Sequence, residues 1–362
     1  MRILHVIHDH PDHPTIGGGG AVRVHEIATR LANRGHQVHI VSGWFEGCKD
    51  TGPGGDGCRV TFLGRHRRPA CKAIEYAFAA WRQLPSLARE ADVVIEDFSP
   101  YAPVGAFRLQ RRGTPVLLQI QNFTGAEFLT RHGPAGLPLR VIERWYPGLF
   151  HHHVLVGEHL LTRFHAKKNS WVVPMGFSAA PAAVSADGPR DYIAFLGRLD
   201  FHQKGLDILL AALQGTDLPV WFAGTGRETG RLKEDLAGLP SCRYLGRLDG
   251  QAKWDFLRGA RFLVIPSRFE GQPVVSIESA AMKTPILASG IPELDFIAHE
   301  GIGRQFSPLQ PVALREALLA MWEDQEALAA CGREAIRFAA NRTWDHIAID
   351  FEKTLENVIA NP

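Results

Sequence analysis

The chain has 362 residues, of which 45% are hydrophobic and 22% charged, with 36 Gly and 23 Pro. This composition excludes disordered, collagen-like and coiled-coil proteins, and the length favours two domains that each bury a core. The net charge is only +2, but the part up to Val172 holds 21 basic and 14 acidic residues and the remainder holds 19 and 24. Such a basic first half has two interpretations. It could attract an anionic acceptor or lipid surface, or the two halves could simply have unevenly charged solvated faces.

No apolar run approaches the roughly 20 residues that a membrane span needs, and polar His8 and Asp9 end the first apolar run too early for a signal peptide. We therefore expect a cytoplasmic protein. The five cysteines form no C-x-x-C pair, which predicts reduced thiols rather than a disulfide framework or a zinc site. The basic residues carry no interleaved aromatic platform, so a nucleic-acid partner is not expected.

Short β-rich runs alternate with helical periodicity along the first half, which predicts a parallel sheet wound by crossover helices. A helix is predicted over Ala21–Arg34, with Gly35 as its stop. Gly17–Gly20 precede that helix, where bare backbone can hold an anion or simply turn. The predicted strands are Arg2–His8, Gln37–Ser42, Arg59–Leu63, Val93–Asp97, Val116–Gln121 and Val154–Gly157.

Two segments of the first half suggest further interactions. The basic run Arg65–Arg68 precedes a predicted helix, Ala73–Leu84, and together they could dock on anionic lipid. The favoured interpretation is a core-facing helix with a solvated basic loop before it. Its apolar face carries Ile74, Ala77, Phe78, Trp81 and Leu84. His151–His153 resemble metal ligands, but consecutive strand residues point to alternate faces, so no metal site is expected there.

The periodicity breaks over Trp171–Asp191, a stretch rich in Pro, Gly and Ala that we interpret as a linker between domains. A second α/β series follows it. Two such doubly wound domains would face each other across a cleft, with ligands bound beyond the carboxyl ends of the strands. The predicted elements are strands Tyr192–Leu196, Val220–Ala223, Phe262–Ile265 and Ile286–Ala288 and a helix over Leu206–Leu213.

Two cations follow the first strand of the second series. Arg198 and Lys204 stand between Gly197 and Gly205 on one strand-to-helix connection, where two fixed positive charges suit a diphosphate. Ordinary surface positions for both side chains are the alternative.

Two carboxylates eight residues apart form the most informative pattern. Glu270 is predicted on the loop after strand Phe262–Ile265, and Glu278 two turns into a helix that begins near Pro273. One carboxylate could accept hydrogen bonds from a hexose and the other from a ribose, while free N–H groups of the helix bind phosphate. The alternative is one structural and one solvated Glu.

Taken in order, these motifs resemble the retaining nucleotide-sugar glycosyltransferases of family 4, which have the GT-B fold. The likeness covers nearly the whole chain, including a last helix, Asp345–Ile359, that in this family returns to the first domain. It implies a first domain over 1–172, a linker over 173–190, a donor domain over 191–340 and a returning segment over 341–362. The motifs are the Gly-rich first loop, Gly197-Arg198 with Lys204-Gly205, Phe222–Gly226, Tyr244–Gly246, and Pro266–Gly271 with Glu278.

The resemblance implies a role for each matching residue. Arg198 and Lys204 would neutralise the donor diphosphate, so neither a metal ion nor another cofactor is expected. Glu270 would contact the transferred sugar and Glu278 the ribose, and both Glu270 and Lys204 are expected to be exposed. The remaining donor contacts implied are a first-domain loop at Gly18 and Gly19, Gly197, the base contact at Leu248, and the phosphate turn at Gly271, Gln272, Pro273 and Val274.

Gln121 departs from the family pattern, because relatives often carry His after this strand. Glutamine can bind a sugar hydroxyl but does not titrate, so the leaving diphosphate itself is expected to help deprotonate the acceptor. A nucleotide-sugar 2-epimerase of the same fold and a silent sugar-nucleotide-binding subunit remain alternatives. The acceptor, a glycan, a lipid-linked sugar or a small molecule, is expected on the loops Trp44–Gly57, Phe98–Ala106 and Phe123–Leu139.

Overall fold

The computed structural model describes residues 1–13, 18–50, 57–64, 71–164, 169–178 and 190–362. The chain forms two compact units, the first built from Met1–Met175 with Trp344–Pro362 and the second from Gly176–Thr343. Most of the predicted linker, Gly17 of the glycine run and the basic run 65–68 lie outside the described residues.

The first unit contains one parallel sheet with helices on both faces. Its strands are β1 (Arg2–Val6), β2 (Gln37–Gly43), β3 (Cys58–Leu63), β4 (Val93–Asp97), β5 (Val116–Ile120), β6 (His152–Leu155) and β7 (Ser170–Val172). Its helices before the chain leaves the unit are α1 (Gly19–Asn33), α2 (Lys72–Leu87), α3 (Phe107–Gln110), α4 (Glu127–His132), α5 (Leu137–Trp145) and α6 (His159–Arg163).

The second unit repeats this plan. Its strands are β8 (Tyr192–Leu196), β9 (Val220–Ala223), β10 (Arg243–Tyr244), β11 (Ala260–Ile265), β12 (Ile286–Ser289) and β13 (Gly303–Phe306). Its helices are α7 (Phe201–Lys204), α8 (Leu206–Leu213), α9 (Thr229–Leu236), α10 (Gly250–Gly259), α11 (Val274–Ala281), α12 (Asp295–His299), α13 (Pro311–Glu323) and α14 (Gln325–Ala340).

Both sheets have the doubly wound order that the alternation of elements predicts. The first runs β3-β2-β1-β4-β5-β6-β7 and the second β10-β9-β8-β11-β12-β13, with every neighbouring pair parallel. The strand order reverses between β1 and β4 in one unit and between β8 and β11 in the other. Ligands of such sheets bind beyond the strand ends at this reversal, which fixes where to look for a site.

The last helix, α15 (Trp344–Ala360), belongs to the first unit and packs on α1. Trp344 and Phe351 are buried, and Glu352 accepts hydrogen bonds from Arg34 Nε at 2.6 Å and His36 Nε2 at 2.7 Å. Burial opposes ionisation of Glu352, but these two partners prevail and lower its pKa. The helix is thus fixed by an apolar stripe and by charged hydrogen bonds at its edge.

One prediction about the first unit is wrong. Helix α2 buries Leu84 of the predicted inward face but leaves Ile74, Phe78 and Trp81 exposed, and it fills the core with Tyr76 and Ala80 instead. Within the described residues, no helix is long and apolar enough to cross a lipid bilayer.

Candidate functional site

The strand ends at the reversal of the second sheet bring together two of the predicted site residues. Lys204, the last residue of α7, and Glu270, on the loop after β11, form an ion pair with Nζ and Oε1 2.5 Å apart. Sixty-six positions separate them in the sequence. Their side chains are only 17% and 6% exposed, so the expectation that both are exposed is wrong.

A hydroxyl chain holds Glu270 in place. Ser267 Oγ donates to Glu270 Oε1 at 2.6 Å, and Ser289 Oγ donates to the Ser267 carbonyl oxygen at 2.5 Å. Both serines are buried, so water competes little with these hydrogen bonds. Because Ser267 and Lys204 both use Oε1, the carboxylate presents Oε2 as the oxygen available to a ligand hydroxyl.

Arg198 lies on the short connection between β8 and α7 and is exposed. Its Nη2 donates to Gln203 Oε1 at 3.0 Å. The Lys204 stem lies beside Gly197, since a Cβ added at Gly197 would make an ordinary contact of 4.0 Å with Lys204 Cε. The structure therefore places both predicted cations at one strand end, with one ammonium paired and one guanidinium open to solvent.

Glycine is required where these loops touch. Gly205 has φ of 63°, and a Cβ there would come within 1.9 Å of the Pro266 carbonyl oxygen. Gly224, with φ of 128°, has the same relation to the Gly197 carbonyl oxygen at 1.8 Å. The backbones after β8, β9 and β11 can therefore pack together only without side chains at these two positions.

Arg268 locks the loop after β11 to the start of α8. Its Nη1 and Nη2 donate to the two carboxylate oxygens of Asp207 at 2.8 and 2.7 Å, a bidentate pairing. Burial opposes ionisation of Asp207, but the hydrogen bonds and charge of Arg268 prevail and hold its pKa below the ordinary value. The clamp fixes the distance between the connection that carries Lys204 and the loop that carries Glu270.

Helix α11 supplies the predicted phosphate turn and the second carboxylate. Pro273 is the residue before the helix rather than its first residue, and Glu278 therefore lies about one turn into α11, not two. Gly271, Gln272 and Val274 are half-buried around this turn.

Sequence reasoning missed the partner of Glu278. Lys253 on α10 donates to Glu278 Oε1 at 2.5 Å, so this carboxylate also keeps one oxygen engaged. No motif marks Lys253; its position three residues into α10 becomes informative only when the helices are packed.

Leu248 follows β10 and is half-buried. The segment before it is tied to the loop after β9, because the Gly224 N–H donates to the Gly246 carbonyl oxygen at 2.7 Å and Tyr244 donates its hydroxyl to the Gly224 carbonyl oxygen at 2.9 Å. Leu248 thus stands beside the strand ends that also carry Gly197.

The first unit has its own polar cluster at the reversal of its sheet. Gly18 precedes α1, and Gly19 and Gly20 form its first turn, so the helix starts earlier than the predicted Ala21. Gln121, just after β5, donates through Nε2 to Asp97 Oδ2 at 2.6 Å and to the Gly20 carbonyl oxygen at 3.3 Å. The structure therefore brings Gln121 to the glycine turn, where a Cβ at position 20 would lie 3.0 Å from its Oε1.

Asp97 is the centre of this cluster and was missed as a functional residue. Its Oδ2 also accepts from Gln119 Nε2 at 2.5 Å and lies 3.8 Å from His5 Nε2. Fully buried Arg23 is held nearby through bonds to the carbonyl oxygens of Val173 and Pro174, and burial lowers its pKa to about 10 while Asp97 opposes that shift. The location of Asp97 at the end of β4 could have indicated it.

Two buried carboxylates hold the predicted acceptor loops. Glu96 accepts from the Val104 and Ala106 N–H groups at 2.8 Å, and Glu143 of α5 accepts from the Thr124 and Gly125 N–H groups at 2.7 Å. Burial raises the pKa of both acids. The predicted loop Phe123–Leu139 is not one loop, since it contains α4 and the first three residues of α5. Of the loop Trp44–Gly57, residues 51–56 lie outside the described part.

The three consecutive histidines are divided by the strand. His152 and His153 are buried in β6, with His153 Nε2 2.8 Å from the Pro147 carbonyl oxygen, while His151 is exposed before it. Among the described residues, no group of three His, Cys, Asp or Glu side chains has the arrangement of a metal site.

Sequence profiles of two families match the chain in succession. Residues 18–170 match the glycosyl transferase 4-like domain, and residues 190–324 match the glycosyl transferases group 1. A curated relative, the D-rhamnosyltransferase WbpZ of Pseudomonas aeruginosa, is 36% identical over 154 residues, which are 41% of this chain and 40% of that protein. The chain spans about half the length of the first curated relatives that it matches.

Solved structures of the same architecture match along the full length. Sucrose-phosphate synthase from Thermosynechococcus elongatus superimposes with a TM-score of 0.81 at 18% identity, covering all of both chains. HepE from Anabaena, solved with UDP-glucose, gives a TM-score of 0.72 at 15% identity, covering 99% of this chain and 100% of that one. At these identities the likeness establishes the fold alone.

Proposed function

The chain belongs to the glycosyltransferases of the GT-B fold, with a glycosyl transferase 4-like part followed by a group 1 part, and on that premise we propose that it transfers a sugar from a nucleotide-diphosphate sugar to an acceptor hydroxyl with retention of configuration and without a metal ion. The observation that carries the proposal is the constellation of Arg198, Lys204 and Glu270 at the reversal of the second sheet. It combines two cations for a diphosphate with a carboxylate for sugar hydroxyls.

The second unit is proposed to bind the donor. The Lys204 ammonium has three N–H donors, of which the bond to Glu270 uses one, and the other two can bind phosphate oxygens. Arg198 and the N–H groups at the start of α11 add positive potential for the second phosphate. These charges are fixed before the reaction, so they stabilise the negative charge that grows on the departing diphosphate.

The two carboxylates are proposed to orient the rest of the donor. Glu270 presents Oε2 to the hydroxyls of the transferred sugar, while Glu278 accepts from the ribose and Leu248 lies against the base. Lys204 and Lys253 each pair with one of these acids, which offsets the repulsion between the two carboxylates and an anionic donor.

The first unit is proposed to bind the acceptor, with Gln121 accepting one hydrogen bond from a hydroxyl through Oε1, because its two Nε2 hydrogens are donated to Asp97 and Gly20. During transfer the bond from the anomeric carbon to the diphosphate oxygen breaks, and a bond to the acceptor oxygen forms on the same face. The acceptor proton passes to the departing phosphate oxygen, so no protein nucleophile is needed. HepE was solved with UDP-glucose, which supports a nucleotide-diphosphate sugar as donor here.

The acceptor hydroxyl is proposed to belong to a glycan, a lipid-linked sugar or a small molecule. A lipid-linked acceptor would bring the first unit against a membrane, so peripheral contact with an anionic membrane is part of the proposal.

Calorimetric and thermal-shift titration with UDP, GDP, ADP, dTDP and their sugar conjugates, with and without EDTA, tests the donor site. A ligand at about 100 times its Kd should stabilise the fold by about 2.7 kcal/mol. Lys204→Met should lose this response, whereas Lys353→Met, at an exposed lysine of α15, should keep it. No response in a folded protein would contradict the donor proposal, and a response that EDTA abolishes would contradict metal independence.

The product decides the reaction. With the preferred donor and an acceptor panel, NMR of the product should show the anomeric configuration of the donor; inversion would contradict retention. Epimerised donor in the absence of acceptor would establish the epimerase instead, and donor binding without turnover on every acceptor class would establish a silent subunit.

A further inference from the structure

Helix α5 exposes a stripe of large apolar residues and buries its acid, the reverse of the usual pattern for a surface helix of a soluble protein. Its large apolar residues Leu137, Val141 and Trp145 are 55%, 49% and 74% exposed, and they recur every four residues along one stripe. Its acid, Glu143, is 2% exposed. A helix normally buries its apolar stripe and exposes its charges, so this inverted pattern indicates a surface made for an apolar contact.

Helix α2 exposes a second apolar stripe. Ile74, Phe78 and Trp81 are 67%, 62% and 46% exposed, and the rings of Phe78 and Trp81 stack with centroids 6.0 Å apart. The opposite side of the helix already fills the core through Tyr76 and Ala80. Packing within the first unit therefore does not explain why the exposed stripe of Ile74, Phe78 and Trp81 is apolar.

The two stripes lie on one face of the first sheet. The crossovers that contain α2 and α5 both run from the β3 edge towards the β7 edge, and right-handed crossovers in one direction place their helices on one face. A direct chain of contacts joins them. Arg108 lies 4.6 Å over the Trp81 ring and donates to the Gly105 carbonyl oxygen, and the Gly105 N–H donates to the hydroxyl of Tyr146, the residue after α5. We call Ile74, Phe78, Trp81, Leu137, Val141, Trp145 and the nearby exposed Leu149 the two-helix surface.

Charge decides what this surface fits. Arg82, Arg140 and Arg144 are exposed on the same two helices, whereas the acids Glu75 and Glu143 are half-buried and buried. A second copy of the chain would bring like charges together across a twofold axis. A bilayer with anionic headgroups instead accepts Trp, Phe and Leu at its interface and attracts arginines.

We propose that the two-helix surface docks the first unit on an anionic lipid bilayer, with Trp145, Phe78 and Ile74 inserted among the headgroups and Arg140 and Arg144 bound to lipid phosphates. This deepens the proposed peripheral contact by assigning it to named residues. The contact needs no sugar nucleotide, so it can be tested separately from the transfer reaction.

Co-sedimentation of the full chain with vesicles of phosphatidylcholine, alone or mixed with phosphatidylglycerol, provides the test. The bound fraction should rise with the phosphatidylglycerol content and fall at high salt, since surface charges are screened over about 10 Å at 0.1 M salt. Lipids brominated in the upper acyl chain should quench tryptophan emission of the bound protein, because Trp145 and Trp81 would lie within reach.

Variants separate the apolar from the charged contribution. Val141→Ser with Trp145→Ser should weaken binding to anionic vesicles about tenfold or more. Arg140→Gln with Arg144→Gln should retain weak binding but lose its dependence on phosphatidylglycerol. Val312→Ser, at a residue that is 64% exposed on α13 of the second unit, is the matched control and should bind like the unchanged chain. Far-UV circular dichroism and melting temperature establish that each variant is folded.

Three outcomes would overturn the proposal. The unchanged chain could stay in the supernatant with anionic vesicles at low salt, or the folded Val141→Ser/Trp145→Ser variant could bind as well as the control. The third is self-association in sedimentation velocity that Trp145→Ser abolishes, without vesicle binding, which would assign the surface to a second copy. Donor-dependent stabilisation measured on the same preparation shows whether the transferase proposal stands in each case.

Discussion

The two units hold their strand-end loops by different means. In the second unit, charged side chains pair with one another across loops, as in Lys204 with Glu270 and Arg268 with Asp207. In the first unit, buried carboxylates such as Glu96 and Glu143 accept backbone N–H groups instead. Side-chain pairs leave cations and carboxylates that a ligand can recruit, whereas carboxylates bonded to backbone only shape the loop.

This difference matches two kinds of recognition. A donor with fixed diphosphate, ribose and sugar would need charges at set distances, and the Arg268 clamp fixes two of the loops that we propose to supply them. An acceptor differs from one enzyme to another, and loops fixed through their backbone can change side chains without losing their shape. The second unit is therefore the part whose chemistry can be altered most sharply by single substitutions.

The largest expected effect is the loss of turnover in Lys204→Met and in Glu270→Gln. Each should lower kcat by about 10²–10³-fold, because each removes a fixed group that we propose to stabilise or orient the donor in the transition state. The double variant should be little slower than either single one, since the two side chains act as a unit. Initial rates with the donor identified by titration provide the measurement.

The double variant should differ from Lys204→Met in stability although the two should have similar activity. Lys204→Met leaves the buried Glu270 carboxylate without its cation and should lower the melting temperature, while the double variant should recover most of the loss. Lys353→Met at an exposed lysine should change neither quantity. A double variant that melts no higher than Lys204→Met would show that the pair is not the source of the cost.

The next effect concerns Asp97 in the first unit. Asp97→Asn replaces one carboxylate oxygen by an NH2 group and removes the charge that directs the Gln121 amide, and we expect kcat to fall by about tenfold to 10²-fold with little change in donor Kd. A merely structural role would lower the melting temperature without separating kcat from donor binding. Asp92→Asn, an exposed carboxylate before the same strand that bonds Arg2, is the control and should leave kcat unchanged.

The sequence predicted the parts of the fold that local pattern determines. The strands Val93–Asp97, Tyr192–Leu196 and Val220–Ala223 and the helix Leu206–Leu213 match the structure to the residue. The short strand β10 and the polar strand β13, Gly-Arg-Gln-Phe, were not predicted, because they are defined by pairing with neighbours and carry no period of their own.

The candidate site shows the same limit. Spacing identified Arg198, Lys204, Glu270 and Glu278 as residues to compare, but not that lysines at 204 and 253 neutralise the two acids. Pairings over 66 and 25 positions depend on how helices pack, which periodicity does not encode. The prediction that the outer stripe of α2 faces the core was wrong for a related reason. The sequence of a helix that is apolar on two sides does not reveal which side faces the core.

Protonation should weaken the first unit at a higher pH than the second. Burial, helped by Arg59, lowers the pKa of His39 from 6.5 to about 4. Between these values the unfolded chain binds the proton and the folded one does not, so stability falls as the pH drops from 6.5 to 4. His39→Gln, which can keep the bond to Thr61 Oγ1, should reduce this fall.

Hydrogen exchange followed by peptide mass spectrometry gives the opening free energy of each unit separately. The difference between His39→Gln and the unchanged chain should be confined to first-unit peptides and to pH below 6.5. His299→Gln, at an exposed histidine of the second unit, is the control. An equal pH slope in both proteins would contradict the assignment to His39.

The smallest expected effect is the acid sensitivity of the Arg268 clamp in the second unit. The pKa of Asp207 is held below 3.8, so the folded chain keeps this carboxylate ionised where the unfolded chain protonates it. The contribution is present above pH 3.8 and is lost as the pH falls through the lowered pKa. Because the Asp207 side chain is 42% exposed, solvent screening limits it to less than about 1 kcal/mol. Asp207→Asn should therefore lower the opening free energy of the second unit only slightly, and slightly more at pH 7 than at pH 3. A loss of equal size at both pH values would instead mean that the clamp acts through its geometry, as the spacing of Lys204 and Glu270 requires.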